Sequence, residues 1–172
     1  MGDLSGTRVL VTGATSGLGL AMAQALVSTG AQVAVTGRSQ ERAEAVAGAL
    51  GALALGLALD VRDASSVRAC VDQIYERFGG LDLLVNNAGI GMRTVNPRFM
   101  TDPQPFWEAT PEGFGDVIRT KMGGVFLVSR EVVPRMLAAG EGRVVNISMN
   151  PQTMTRRGFV PYGPAGAGVE AL

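Results

Sequence analysis

The stretch RVLVTGATSGLG at residues 8–19 limits the possible folds most severely. There an apolar run breaks into Gly13, Gly17 and Gly19 just as a helical pattern begins. Val9, Leu10 and Val11 are continuous rather than alternating, which suits a parallel strand covered on both faces. Gly13 can take a tight turn without a Cβ penalty, Gly17 lets the backbone approach a ligand, and Gly19 lets the next helix pack close to its strand. A helix over residues 18–29 would then point free N–H groups and its positive dipole end at an anion. This order fits the pyrophosphate of a dinucleotide. The spacing is TGxxxGxG rather than GxGxxG, and three glycines also suit a flexible turn. A Walker phosphate loop is disfavoured, because no Lys-Ser or Lys-Thr pair follows the last glycine.

Beyond this unit, strand and helix patterns alternate. Strands are predicted at residues 32–36 and 52–59, and helices at 40–50 and 64–78. Residues 81–85 and 143–147 read as two further buried strands. Between them, residues 111–139 carry a long helical pattern, with Thr110 as N-cap and Pro111 at the first helical position. Pro134 is expected to bend or interrupt its last turns. The pattern predicts an α/β fold, a Rossmann-like doubly wound parallel sheet with helices on both faces, in a single dinucleotide-binding domain over residues 1–172. Residues 90–109 are long for a connection, and fit either a substrate-facing loop or a surface insertion.

Composition narrows the function. At 172 residues, 47% hydrophobic and 17% charged, the chain can bury one sizeable core. Its 15 basic and 15 acidic side chains cancel, so charge gives no case for nucleic acid or an anionic membrane. No apolar run approaches the ~20 residues that span a bilayer, and a cytoplasmic location is expected. The single cysteine, Cys70, excludes an internal disulfide and reads as core filler rather than a reactive thiol. With no histidine and no cysteine cluster, no metal site is expected, and a histidine-based triad has no material.

Several motifs fall in a telling order: Thr12-Gly13-Ala14-Thr15-Ser16-Gly17-Leu18-Gly19, Asp60-Val61, Asn86-Asn87-Ala88-Gly89, Asn146-Ile147-Ser148 and Tyr162-Gly163-Pro164. With these the chain resembles the short-chain dehydrogenase/reductase family. The resemblance implies that Thr15, Ser16 and Leu18 join the glycines around a cofactor, that Asp60 and Val61 meet the adenine, that Asn87 steadies the central sheet, and that Ala88 and Gly89 line the cofactor. It also implies hydride exchange between a nicotinamide cofactor and a small carbonyl or alcohol substrate, and is compatible with a homo-oligomer. Against the family pattern, residues 1–172 lack the usual C-terminal part. A non-catalytic dinucleotide-binding relative, acting as a sensor or partner subunit, is the alternative reading.

Charge bears on cofactor choice. An acidic residue ending the second strand would bond the ribose 2′-hydroxyl and favour NAD. Here the sequence runs Thr36-Gly37-Arg38-Ser39. Arg38 can form charge-assisted hydrogen bonds to a 2′-phosphate and Ser39 can add a hydroxyl, so NADP(H) is favoured over NAD(H). Arg38 also reads as a solvated cation at a strand end.

The catalytic positions depart from the family. The resemblance makes Tyr162 the group that exchanges a proton with the substrate oxygen. Four residues later, where the family has lysine, stands Gly166. The serine position falls on Met149, leaving its neighbour Ser148 as candidate, and the asparagine position falls on Lys121. A free phenol titrates near pH 10, and a cation ~4 Å away at an effective dielectric of ~20 is worth on the order of 4 kcal/mol to its anion. Gly166 offers none of this; Lys121 is an alternative cation, but it belongs to a different helix. Ser148 can replace the serine only if the strand is shifted by one residue, since neighbouring side chains on a strand face opposite ways.

Overall fold

The computed structural model describes residues 2–172. Strands β1 (Arg8–Val11), β2 (Gln32–Gly37), β3 (Ala54–Ala58), β4 (Leu83–Asn86) and β5 (Arg143–Asn146) form one sheet in the order β3-β2-β1-β4-β5. Every pairing is parallel, with Val9 beside Val33 and Leu83, and Asn86 beside Asn146. From β1 the chain moves outward through β2 and β3, then returns to place β4 on the other side of β1. The strand order therefore reverses between β1 and β4, the point where open α/β sheets leave a crevice at their carboxyl ends.

The continuous apolar run of β1 has the expected cause. Val9, Leu10 and Val11 are all 0% exposed because successive side chains enter two separate cores. Leu10, Ala34 and Leu84 pack with Val67, Val71 and Ile74 of α3 (Ala64–Phe78) and with Val128 and Val132 of α5 (Gly124–Ala139). On the opposite face Val9, Val11, Val33 and Val35 pack with Ala23 of α1 (Gly17–Ser28) and Ala47 of α2 (Gln40–Leu50). Each such fully buried valine or leucine contributes roughly 1.5–3 kcal/mol. A Cβ at Gly56 would strike the Ala43 backbone, so α2 lies close over β3.

Two expectations are corrected. The helical pattern of residues 111–139 divides into α4 (Pro111–Ile118), a π-helical turn (Arg119–Gly123) and α5. Thr110 does cap α4, its hydroxyl accepting from the Gly113 N–H at 3.1 Å. The interruption thus falls at the π turn, whereas α5 continues through Pro134; Val132 and Met136, buried on either side of the proline, tie this part of the helix to the core. The second correction concerns β5, where Val144 and Val145 are 39% and 44% exposed. Among the described strands β5 pairs only with β4, so it is a sheet edge rather than a buried strand.

Residues 90–109 hold two short 3₁₀ turns, Met92–Thr94 and Phe106–Glu108. Met92 is buried, and Phe99 sets its ring edge-on to Phe159 at 5.3 Å. That contact ties the segment to the approach to α7 (Tyr162–Ala171), which follows the single-turn α6 (Pro151–Met154).

Candidate functional site

The glycine turn between β1 and α1 is built by conformation and by one latch. Gly13 and Gly17 have φ of +67° and +56°, which a side-chain-bearing residue rarely adopts. A Cβ on Gly19 would run into the Gly13 carbonyl and the Asn87 amide. Gly19 therefore serves the turn itself and the end of β4, a closer role than helix-to-strand packing. Thr12 is buried, and its hydroxyl oxygen accepts from the backbone N–H groups of Asn87 and Ala88 at 3.0 and 2.9 Å. Asn87 Nδ2 donates back to the Thr12 and Gly13 carbonyls at 2.9 and 3.2 Å. Asn87 thus fastens the turn to β4, while its neighbour Asn86 bridges the sheet, donating to Asn146 at 2.9 Å and to Ser129 of α5 at 3.0 Å.

A cleft of about 590 Å³ opens at the switch point between β1 and β4. Of the residues singled out from sequence, Gly13, Thr15, Ser16, Leu18, Gly19, Arg38, Asp60, Val61, Asn87, Ala88 and Gly89 line it. Gly17 and Ser39 do not. Gly17 opens α1 at the edge of the turn, and the Ser39 hydroxyl caps α2 by accepting from the Arg42 N–H at 3.2 Å. Ile90 and Thr94 bring the start of the 90–109 segment to the cleft wall.

The charges around the cleft do not cancel. Asp60 receives the Arg62 guanidinium on both oxygens, at 2.9 and 2.7 Å, and that pairing lowers its carboxyl pKa to about 2. Asp116 is held by Arg119 at 2.6 Å. Arg38 and Arg42 also line the cleft and form no ion pair among the described residues. Arg42 was not singled out from sequence. Its signal was available in the spacing, since it lies in the first turn of the helix that Ser39 caps, four residues after Arg38. The helix N-terminus, the positive-φ glycines and two uncompensated guanidinium groups form a surface suited to a phosphate-bearing dinucleotide.

Tyr162 opens α7 and does not line this cleft. The Lys121 ammonium lies over its ring, 4.9 Å from the centroid. Lys121 is only 6% exposed, donates to the Ile147 carbonyl at 3.2 Å, and has its pKa lowered by burial. Ser148 directs its hydroxyl to Glu170 on α7 at 2.8 Å, and no hydrogen bond joins it to Tyr162. Met149 fills the space beside Gly166, where an added Cβ would come within 3.0 Å of its terminal methyl. Cys70 is buried in the core beneath β1 and β4, its thiol pKa pushed up to about 12 by desolvation. No group of three metal-ligating side chains occurs among the described residues, and no described helix is long and apolar enough to cross a membrane.

Sheet, switch-point cleft and glycine turn together define a Rossmann-like nucleotide-binding domain. The family model described as short chain dehydrogenase matches residues 7–172, and the chain belongs to that family. It is 36% identical over 167 residues to the 3-oxoacyl-[acyl-carrier-protein] reductase FabG of Escherichia coli, covering 97% of this chain and 64% of that protein. It is equally 36% identical to the D-threitol dehydrogenase of Mycolicibacterium smegmatis, covering 96% of this chain and 61% of the relative. Among solved structures, the 3-ketoacyl-(acyl-carrier-protein) reductase of Brucella melitensis complexed with NADH superposes with a TM-score of 0.85 at 32% identity, over 98% of this chain and 67% of that one. The chain thus spans less than two thirds of the length of these curated relatives.

Proposed function

We propose that this chain carries the cofactor-binding and proton-donating part of an oxidoreductase that exchanges a hydride between a nicotinamide dinucleotide and a small carbonyl or alcohol, with NADP(H) preferred. One observation carries the reading: the positive-φ glycine turn and two unpaired arginines converge on one cleft at the switch point. The residues fit the group. Gly13, Thr15, Ser16 and Gly19 would receive the pyrophosphate at the start of α1, with Gly17 setting the turn and Leu18 beside it. Arg38, with Arg42, would take a 2′-phosphate, and the free hydroxyl hydrogen of Ser39 could add a bond there. Val61 and the Arg62-paired Asp60 would wall the adenine side, and Ala88 and Gly89 the sugar side, held in place by Asn87.

When bound, the nicotinamide supplies or accepts the hydride. In reduction, Tyr162 gives its phenolic proton to the carbonyl oxygen as the carbon receives hydride; in oxidation it takes the proton back. Ser148 would assist at the substrate oxygen only by leaving Glu170. The relatives' names span an acyl-carrier-protein-bound ketone and a small polyol, so the proposed substrate class stays at carbonyl or alcohol. A cytoplasmic setting, where a lone thiol stays reduced, completes the proposal.

Gly166 and the Ser148–Glu170 hydrogen bond favour a second reading, a dinucleotide-binding relative without turnover. Calorimetric titration with NADPH, paired with NADPH oxidation over a panel of ketones and aldehydes, decides between them. Binding with turnover supports the first reading, and binding without turnover selects the second.

A further inference from the structure

We propose that Lys121, delivered from the π-helical turn, is the positioning residue for Tyr162, supplying from a facing element the positive charge that Gly166 does not. The inference rests on the reading of Tyr162 as the proton-exchanging group.

Four observations support it. Lys121 is the only lysine among the 15 basic residues, all the others being arginine. It is also the only buried charged side chain among the described residues. Burying an ammonium is costly without compensation, yet Lys121 has one hydrogen bond, to the Ile147 carbonyl, and no carboxylate partner. The remaining compensation is the ring of Tyr162, whose face attracts a cation within about 6 Å. Lysine rather than arginine suits such a position, because a compact ammonium on a flexible stem can be set over a ring with few donors to satisfy, whereas a guanidinium would bury five.

The backbone accounts for the placement. A π turn adds a residue to the helical repeat and so re-aims the side chains within it. In this turn the side chain at position 121 reaches α7. The approach of α7 is close because it carries glycines: a Cβ at Gly168 would lie 2.6 Å from Met122 Sδ, and one at Gly163 would strike the Met154 carbonyl. Gly166 instead faces Met149, so of these glycines it is Gly168 that admits the element bringing the charge.

The charged groups on the elements packed against the turn leave Lys121 unopposed. Asp116 on α4 pairs with Arg119 of the turn, and Glu112 near the start of α4 forms no ion pair with Lys121. Glu170 on α7 accepts from Ser148, and α5 brings no charge before Arg130. A cation fixed over the ring stabilises the negative charge that develops on the phenol when its proton leaves, in either direction of the reaction. Lys121 touches neither the cleft nor a reacting atom, and acts through Tyr162.

Two experiments on the full chain test this. With a single lysine, ¹³Cε-lysine labelling gives one NMR signal, whose titration needs no activity. The proposal expects Lys121 to titrate below the ordinary lysine range of about 10.4, and Tyr162→Leu to move its midpoint by about half a unit or more. An unchanged midpoint in a folded Tyr162→Leu chain overturns it. In turnover, Lys121→Met should cut kcat at pH 7 at least about tenfold, with little change in the KM for NADPH. The alcohol-oxidation profile should move up by about one pH unit. Adding Gly166→Lys to that variant should recover part of the rate, since positions 162 and 166 share a helix face and the Met149 side chain can give way. A folded Lys121→Met chain with unchanged kcat and profile overturns the proposal, while loss of turnover in Tyr162→Phe would still uphold the proposed function. If the unmutated chain binds NADPH without turnover, that function fails and the lysine titration alone decides the Lys121–Tyr162 pairing.

Discussion

The region around β1 to β3 and the region around β5 and α7 are both built at the carboxyl edge of one sheet, but their polar groups are fixed in different ways. Beside β1, Thr12, Asn87 and Ala88 exchange three hydrogen bonds, with Asn87 reaching the Gly13 carbonyl as well. Those bonds hold backbone conformation, so the turn's shape is largely independent of what surrounds it. Beside β5, the arrangement depends on one side chain crossing from the π turn to α7 and on Ser148 meeting Glu170. A latch in which two short side chains bond only backbone groups tolerates change elsewhere in the chain. A constellation made of side chains from three elements is sensitive to each of them.

The strongest way to break the contrast is Gly19→Val. Its side chain would collide with the Gly13 carbonyl and the Asn87 amide together, and NADPH affinity measured by calorimetry should fall by more than about 100-fold while circular dichroism still reports the fold. Next comes Arg38→Ala. A charge-assisted contact is worth roughly 1.5–3 kcal/mol, so the variant should lose about 10- to 100-fold in NADPH affinity and little in NADH affinity. Equal affinities for the two dinucleotides in the unmutated chain would remove the assigned role of Arg38.

A smaller effect is expected from Asn87→Ala, which leaves the Thr12 and Gly13 carbonyls without their side-chain donor. Denaturant unfolding should show a loss of about 1–3 kcal/mol, with weakened dinucleotide binding but intact helices. The smallest effect is expected from Arg62→Ala. Asp60 has its folded-state pKa depressed to about 2 by Arg62, so the stability linked to it is present above the ordinary carboxyl range near 3.9 and disappears as pH falls through about 2. Removing Arg62 should start acid unfolding at a higher pH. Because both side chains are about a third exposed, the change should stay below about 1 kcal/mol near neutrality.

The same contrast explains what could be read from the sequence. The glycine turn was legible because it rests on local requirements: positive φ at Gly13 and Gly17, and no Cβ at Gly19. The doubly wound sheet was legible in the uninterrupted apolar run of β1 and the strand–helix alternation. The break at residues 119–123 was not. Lys121, Met122 and Gly123 carry no breaker as visible as Pro134, and only packing against α7 shows the use of the π turn. Ser148 was legible as a polar residue near β5, but its engagement by Glu170, 22 residues later, was not. Val144 and Val145 read as buried strand residues because apolar content does not reveal whether a strand lies at an edge. The Lys121–Tyr162 contact left two traces in the sequence, a lysine at the family's asparagine position and its being the single lysine in a chain whose other basic residues are all arginine.

The most direct measurement is NADPH oxidation over a carbonyl panel by the unmutated chain and its Tyr162→Phe variant, with NADPH affinity determined for both by calorimetry. The account predicts similar binding by the two proteins, turnover of at least one carbonyl by the unmutated chain, and a rate about 10²- to 10⁴-fold lower in the variant, the usual contribution of a positioned general acid. Binding without turnover in the unmutated chain, or an undiminished rate in Tyr162→Phe, would contradict it.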